Sequence, residues 1–231
     1  MSYRSFCPVA KAMEVLGEKW SLLIALELLS GSSRFNEIQR GLPTLSPSLL
    51  TKRLASLERD GLVMKKRIHG QRGYEYFATE SCKELSSVIE QIGVWGMRWA
   101  RANMAEDDYD LDLLLVYLER SIQPDKLIGH ETVIRFNFTD VAEYANWWIV
   151  VNDDVVEVCI HDPGKEVDIY FNVGVRVMCQ LWMGDLSYKR AIRDGLLNLV
   201  GPKVLINNVE SWLKPNVLAG TPRPDAIIDY D

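Results

Sequence analysis

The sequence predicts an α+β protein built in two parts. The N-terminal half is helical and ends in a β-hairpin, and the C-terminal half has a mostly antiparallel sheet with helices on one face. Three observations predict this class. Apolar residues recur at helical spacing up to residue 57, two strand-like runs surround a glycine-flanked tip at residues 70–73, and four further strand-like runs lie between residues 131 and 173.

Length and composition favour ordinary globular domains. A chain of 231 residues, 48% of them hydrophobic, can form one large or two modest domains with their own cores. No apolar run reaches the roughly 18 to 20 residues that a membrane span needs. The N-terminus lacks an apolar signal core with a small-residue cleavage site, so we expect a cytoplasmic protein with no membrane span.

Charge is distributed unevenly along the chain. Residues 1–105 carry 15 Lys or Arg and 10 Asp or Glu, a net charge of +5, whereas residues 106–231 carry 11 and 22, a net charge of −11. The change falls at the acidic segment 106–112. We therefore predict one domain at 1–105 and a second at 106–231, which ends in a short C-terminal tail.

Catalytic and metal-binding patterns are missing from the sequence. The four cysteines, Cys7, Cys82, Cys159 and Cys179, form no C-x-x-C pair and do not cluster with histidine. There is no nucleophile elbow, P-loop, dinucleotide fingerprint or metal-binding His pair. We expect no catalytic residue, no metal, no cofactor and no enzymatic activity.

Two helices are predicted at the N-terminus. Pro8 suits a first helical turn, where its missing N–H costs little, and Gly17 ends that helix. Residues 20–29 are nearly all apolar, so we expect the second helix to be buried on most sides and to end at Gly31.

A helix–turn–helix pattern follows. Ser33 can cap a short helix over residues 34–40, which a break at residues 41–43 ends. Ser46 caps a further helix with Pro47 in its first turn. The core side of this helix is marked by leucines at i, i+4 and i+7: Leu50, Leu54 and Leu57.

The opposite side of this helix is small and polar, which suits a helix that must lie in a major groove about 12 Å wide. Lys52 and Arg53 can reach phosphates or guanine edges, and Ser48 and Thr51 can contact either. An ordinary solvated helix face would have the same composition.

A basic hairpin comes next, over residues 62–79. Its cations gather near one end: Lys65, Lys66, Arg67 and Arg72. Charged edges also protect hairpins from aggregation. However, a helix–turn–helix followed by a basic hairpin is a winged helix, and residues 34–72 hold nine Lys or Arg against three acids. We expect double-stranded DNA as a partner, with these contacts: Arg34, Ser46, Ser48, Thr51, Lys52, Arg53, Lys65, Lys66, Arg67 and Arg72.

One longer helix is predicted from Thr79 to about Asn103. A heptad-like apolar seam runs along it: Leu85, Val88, Ile92, Trp95 and Trp99. A small winged domain can hardly bury so much apolar surface, so we expect a homodimer with recognition helices roughly 34 Å apart. Packing of the seam against the C-terminal domain is the competing explanation.

These segments resemble a known family. CPVAKAMEVLGEKWSLLIALELLSG, then SRFNEIQRGLPTLSPSLLTKRLASLERDGLV, then GYEYFAT before an amphipathic helix, resemble the HxlR family of bacterial winged-helix regulators over about residues 7–100. The resemblance implies a dimeric transcription factor whose helix from Ser46 enters the major groove, with the hairpin as the wing. It also implies that Cys7 lies near the dimer interface, where some members sense oxidants or electrophiles; a small buried cysteine is the alternative.

The C-terminal half is predicted to begin with a helix at 111–122. The strand-like runs are ETVIRFNFT, YANWWIVVN, VVEVCIH and VDIYFNV, with turns at residues 152–154 and 161–164. Two helices follow, over residues 173–183 and SYKRAIRDG, and then a strand, LLNLVG, and a single helix, PKVLINNVESWL.

This half has an aromatic and Met-rich interior. Large rings can form an ordinary core or line a cavity for an apolar ligand. The candidate pocket residues are Trp147, Trp148, Tyr170, Phe171, Met178 and Trp182. The order of elements from IRFNFTD to the final WL, about residues 111–214, resembles the sterol carrier protein type 2-like domain. That resemblance implies a sheet packed by helices around a hydrophobic tunnel for lipid-like molecules, and no catalytic residue.

Together these features predict a dimeric DNA-binding transcriptional regulator that responds to a small apolar effector in its C-terminal domain. The alternative is a lipid- or metabolite-binding protein whose winged domain mediates protein–protein contacts. The presence or absence of a protected operator distinguishes the two.

Overall fold

The computed structural model describes residues 3–222, so residues 223–231 of the predicted C-terminal tail lie outside the described part. The chain divides into two compact units, Met1–Gly96 and Met97–Asp231, which we call unit 1 and unit 2. As predicted, the protein belongs to the α+β class.

Unit 1 consists of helices with one two-stranded sheet. Within residues 3–96 the elements are α1 (Pro8–Leu16), α2 (Ser21–Leu29), α3 (Phe35–Gly41), α4 (Pro47–Arg59), β1 (Val63–Arg67), β2 (Tyr74–Ala78), α5 (Glu80–Lys83) and α6 (Ser86–Trp95). The two strands pair antiparallel, with Lys65 opposite Tyr76. Helices α3 and α4 with this hairpin form the predicted winged helix–turn–helix.

The core of unit 1 gathers one face of each helix. Ile24, Ile38 and Leu50 are fully buried there and come from α2, α3 and α4 in turn. Burying side chains of this size stabilises the fold by roughly 1.5–3 kcal/mol each relative to leaving them exposed. The core therefore fixes how α3 and α4 are placed in the unit.

Helix α2 is buried on most sides, as predicted, and exposes one strip. Leu23 and Leu26 are exposed, while Ile24, Ala25 and Leu28 face the core. A nearly all-apolar run hides its periodicity, because its two polar residues, Ser21 and Glu27, are themselves buried and do not mark the side that faces solvent.

The single long helix predicted from Thr79 is interrupted. Thr79 does cap a helix, but α5 ends at Lys83 and α6 begins at Ser86. Beyond α6, residues 96–100 form a π-helical turn and residues 101–103 a 3₁₀ turn. The break falls where Leu85 packs against the core of unit 1.

Unit 2 contains the larger sheet. Within residues 97–222 its helices and strands are α7 (Leu111–Ser121), β3 (Glu131–Phe138), β4 (Asn146–Asn152), β5 (Val155–Cys159), β6 (Ile169–Val173), α8 (Val175–Met183), α9 (Tyr188–Arg193), β7 (Leu197–Val200), α10 (Lys203–Asn207) and α11 (Val209–Trp212). The single final helix of the prediction is two short helices, α10 and α11, separated at Asn208.

The sheet has the order β5-β4-β3-β6-β7. Three of its four strand pairs are antiparallel, which confirms the prediction of a mostly antiparallel sheet. The exception is β3 with β6, which run parallel with Ile134 opposite Ile169.

Alternate residues along each strand lie on opposite faces of the sheet. Ile134, Phe136 and Phe171 are fully buried in a layer that the sheet shares with Leu118 of α7 and Met178 of α8. Arg135, Trp148 and Tyr170 have the opposite parity and lie on the other face of the sheet, where the Arg135 guanidinium carbon is 5.3 Å from the Trp148 ring centroid.

Two further findings concern residues 3–222 as a whole. No helix in this range is both long enough and apolar enough to cross a membrane. No group of three or more His, Cys, Asp or Glu side chains in it is placed to hold a metal ion.

Candidate nucleic-acid interface

The turn between α3 and α4 is tied together by a glutamine. The side-chain amide of Gln39 donates to the carbonyl oxygens of Leu42, at 3.2 Å, and Leu45, at 2.5 Å. Both leucines are buried. The angle between the two helices is thus fixed by hydrogen bonds and by apolar packing together.

The start of α3 is capped by Glu37 and not by Ser33. The Glu37 carboxylate accepts the backbone N–H groups of Ser33, at 2.8 Å, and Arg34, at 2.9 Å. Burial opposes the charge, but these N–H donors outweigh it and hold the pKa of Glu37 below its ordinary value. The predicted helix start is corrected by one residue, because α3 begins at Phe35 with Arg34 in the N-cap position.

Helix α4 begins and faces as the sequence predicts. The Ser46 hydroxyl accepts the N–H of Leu49, and Pro47 occupies the first turn. The predicted core leucines are all buried: Leu50, Leu54 and Leu57. The opposite face exposes Ser48, Thr51 and Lys52, and the Thr51 hydroxyl donates to the Pro47 carbonyl at 2.9 Å.

Arg53 differs from its neighbour Lys52. Its guanidinium Nη1 pairs with the carboxylate of Glu18, in the turn between α1 and α2. Arg34 is also paired, with Glu75 of β2 at 3.6 Å. The structure therefore gives both of these candidate DNA contacts a carboxylate partner inside unit 1.

The wing distributes its cations over both faces. Lys65 and Arg67 are two residues apart on β1 and share one face, whereas Lys66 lies on the other. The Lys65 ammonium is 4.0 Å from the Tyr74 ring centroid, and the Lys66 ammonium is 5.3 Å from that of Phe77. Aromatic rings on β2 thus hold the lysine stems in place.

Several of the candidate contacts carry unpaired charge. Within residues 3–222 no carboxylate lies within 4 Å of the charged groups of Lys52, Lys65, Lys66, Arg67 and Arg72, and all five residues are exposed. Positive φ angles at Gly70 and Gly73 form the tip that carries Arg72. Such a surface can attract a polyanion without first breaking ion pairs.

The apolar seam of α6 is split between the core and the surface. Leu85 packs inside unit 1, but Val88, Ile92 and Trp95 retain 45%, 48% and 60% of their accessible surface. These three, with Ser87 and Gln91, line a shallow groove. Trp99, in the following π-helical turn, is exposed as well.

Comparison with known proteins gives relatives for the N-terminal part of the chain. YvaP of Bacillus subtilis (strain 168), an uncharacterized HTH-type transcriptional regulator, is 37% identical over 101 residues, which is 43% of this chain and 94% of YvaP. YkvN of the same organism, with the same description, is 29% identical over 52% of this chain and 95% of YkvN. The family model for HxlR-like helix-turn-helix proteins matches residues 15–104.

The chain belongs to the HxlR family. Among solved structures, the reduced form of the transcriptional regulator YodB from B. subtilis is similar with a TM-score of 0.37 and 29% identity, covering 41% of this chain and 95% of YodB. The HxlR-family match includes α2 to α6 and the wing, and it ends before the acidic segment 106–112.

The cysteines of this HxlR-family protein have different environments. Cys7 is exposed at the N-terminus of α1, where its backbone N–H donates to the Ser5 hydroxyl at 3.1 Å. Cys82 is buried beneath the wing, and burial raises the pKa of its thiol. Burial, with the charges of Asp110 and Asp140 adding to it, raises the pKa of Cys179 to about 12.

The six candidate pocket residues of unit 2 do not surround one space. Phe171 and Met178 are fully buried in the layer between sheet and helices, and Trp147 and Trp182 pack against that layer. Trp148 lies on the opposite face of the sheet, as does Tyr170. Trp182 stacks on Tyr117 with ring centroids 4.4 Å apart, at the partly exposed edge of the layer.

Two acidic residues that stabilise the HxlR-family domain, Glu27 and Glu37, were not predicted from the sequence. Buried Glu27 accepts the Ser32 hydroxyl at 3.0 Å, and a β-carbon at Gly41 would overlap its carboxylate. A lone acid within the apolar run of residues 20–29 is the signal that could have revealed it. Glu37 caps α3 from three residues after Arg34, but a capping-box signature needs Ser or Thr at the cap, so the local sequence did not predict this role.

Proposed function

We propose that this protein is a DNA-binding transcriptional regulator that acts as a homodimer on a pseudo-palindromic operator. The observation that carries the proposal is the set of exposed, unpaired cations on α4 and the wing, beside a helix face of small hydroxyl residues. A duplex presents one negative charge per roughly 1.7 Å of its axis, so such a surface gains affinity by releasing counterions.

The two elements have different roles in this proposal. Ser46, Ser48, Thr51 and Lys52 lie at the exposed start of α4, where a recognition helix contacts base edges. Lys65, Lys66, Arg67 and Arg72 of the wing contact phosphates and supply most of the affinity, while α4 supplies most of the discrimination between sequences.

Dimerisation through α6 is part of the proposal. Val88, Ile92 and Trp95 form an apolar stripe that keeps about half of its surface exposed among the described residues of unit 1. Trp99, in the next turn of the chain, is exposed as well. An isologous contact between two such stripes removes these side chains from water and presents two copies of α4 to successive major grooves.

We further propose that unit 2 is a sterol carrier protein type 2-like domain that binds a small apolar effector. The support is the order of its strands and helices and the apolar layer formed by Phe136, Phe171 and Met178. The stacked pair Tyr117 and Trp182 lies at the edge of this layer, and we place the entrance for the effector there.

The DNA-binding part is tested by footprinting fragments upstream of the protein's own and neighbouring coding sequences. We expect a protected site with two half-sites. With roughly 6 to 10 phosphate contacts per dimer, affinity falls by about 10³ to 10⁵ between 50 and 200 mM salt. A protein that protects no site and binds duplex DNA without salt dependence would instead support the alternative, a metabolite-binding protein whose winged domain contacts other proteins.

Native mass spectrometry tests the dimer and effector parts together. Protein purified from its own cytosol is expected as a dimer, and gentle ionisation should preserve an apolar ligand that dissociates on activation. A ligand-free spectrum, and no change in mass after incubation with a medium-chain fatty acid, would contradict the effector proposal but leave the DNA-binding proposal intact.

A further inference from the structure

Two adjacent basic residues of α4 have opposite environments. Lys52 is exposed, and no carboxylate of residues 3–222 lies within ion-pair distance of it. Arg53 retains only 21% of its side-chain surface, pairs through Nη1 with Glu18, and has a buried Nε that hydrogen-bonds to no described atom. The charge of Arg53 is therefore neutralised within unit 1.

The carboxylate partner is held in place by a tight turn. The N–H of Gly17 donates to the Met13 carbonyl at 2.9 Å, and the N–H of Ser21 donates to the Glu18 carbonyl at 3.1 Å. Trp20 occupies the left-handed region with φ 82° while its ring packs against the core. The backbone of Glu18 is thus fixed from both sides, and its half-exposed carboxylate reaches the Arg53 guanidinium of α4.

We propose that Glu18 determines how much of the DNA affinity is sequence-independent, because it withholds Arg53 from the phosphates. This inference rests on the proposed DNA-binding function. An arginine that is already neutralised by a carboxylate displaces no counterion from DNA, so it adds nothing to non-specific attraction. Contacts to base edges are then made by Ser48, Thr51 and Lys52.

The same ion pair positions the recognition helix. Leu50 and Leu54 fix α4 on its core side, and the Glu18–Arg53 pair adds a second point of attachment on the flank of the helix. Glu18 is thereby a positioning residue, and it does not itself contact DNA.

The experiment measures binding to a 30-base-pair duplex of arbitrary sequence between 50 and 200 mM salt. Glu18→Gln releases Arg53, so the logarithmic salt slope is expected to steepen by about 0.9 per protomer, or about 1.8 per dimer. Over this salt range the variant dimer should lose roughly 12-fold more affinity than the wild type.

Two further variants identify the cause. The double variant Glu18→Gln with Arg53→Gln, which removes both charges of the pair, should return the slope to the wild-type value. The matched control is Glu80→Gln, which also removes one acid and releases one cation, Lys83, on α5, which contributes none of the proposed DNA contacts. Its slope should equal that of the wild type.

Two results would overturn the inference. One is a Glu18→Gln slope equal to the wild-type slope, and the other is a double-variant slope shallower than the wild-type slope by about 0.9 per protomer, which would mean that Arg53 already contacts a phosphate. Both presuppose that the wild-type protein binds the duplex. If the wild type binds no duplex at any salt concentration, it is the proposed function that fails, and the inference falls with it.

Discussion

The ammonium group of Lys65 lies over the ring of Tyr74, 4.0 Å from its centroid. The two residues come from opposite strands of the wing, and Tyr74 is also directly opposite Arg67. The Tyr74 ring therefore holds the Lys65 ammonium on the face of the wing that also carries Arg67.

Removing this ring should weaken DNA binding without changing its charge dependence. An exposed cation–π contact contributes about 0.5–1 kcal/mol, so Tyr74→Leu, which removes two such contacts per dimer, should lower duplex affinity by about 5- to 30-fold and leave the salt slope unchanged. Lys65→Gln should instead make the slope shallower by about 0.9 per protomer. Lys83→Gln on α5 serves as the control for Lys65→Gln, and a shallower slope in Tyr74→Leu would contradict the assignment.

Lys52 and Lys66 should behave differently when each is replaced by alanine. Lys52→Ala is expected to cost about 1–3 kcal/mol on the operator and to relax discrimination at one base-pair position. Lys66→Ala should weaken all sequences about equally, because a phosphate contact carries no sequence information. Affinities for the operator and for each of its single-base-pair variants separate the two patterns. Identical profiles for the two variants would show that the division of roles is wrong.

Trp95→Glu should convert the proposed dimer to a monomer. Its side chain keeps 60% of its surface in the isolated chain, and burying two carboxylates in an apolar contact is strongly unfavourable. Light scattering coupled to size-exclusion chromatography measures the mass. Ile128→Glu places the same charge at an exposed apolar position of unit 2 and should leave the dimer intact. A dimeric Trp95→Glu variant would show that α6 is not the interface.

The thiol of Cys179 should make stability depend on alkaline pH. Burial, followed by the charges of Asp110 and Asp140, raises the pKa of Cys179 to about 12 in the folded state. The stabilising effect of the neutral thiol is complete below the ordinary cysteine value and is lost as pH rises towards the folded-state value. Between pH 9 and 10 the unfolding free energy should fall by about 1 kcal/mol from this group.

Chemical denaturation of the wild type and of Cys179→Ala at pH 8, 9 and 10 measures this contribution. The difference between the two proteins should change over that range, because the variant lacks the titrating group. Cys7→Ala is the matched control, since its thiol is exposed. Parallel pH profiles for wild type and Cys179→Ala would contradict the prediction.

Local signals in the sequence were sufficient to predict much of unit 1. Pro8, Ser46 and Pro47 mark helix starts through backbone chemistry that depends on adjacent residues only, and α1 and α4 begin where these residues predict. The same holds for the glycines at the wing tip. The leucine spacing of α4 also predicted which face is buried, because its polar and apolar residues alternate clearly.

Features that depend on distant residues could not be predicted. Nothing near Arg53 in the sequence reveals that Glu18, 35 positions earlier, is its partner. Similarly, Tyr170 and Phe171 are adjacent and both aromatic. They lie on opposite faces of the sheet, because successive side chains of a strand such as β6 alternate between the two faces. In both cases the pairing of elements, and not composition, decides the role of the side chain.

The parallel pairing of β3 with β6 has a consequence for synthesis on the ribosome. Ile134 of β3 pairs with Ile169 of β6, which is synthesised 35 residues later. The sheet is complete only when β7 has also been synthesised and has paired with β6. Unit 1, whose hairpin and helices are joined by short connections, completes earlier in translation and by contacts that form faster. Nascent chains held at residue 120 should therefore already contain a protease-resistant N-terminal fragment, before any of the larger sheet exists.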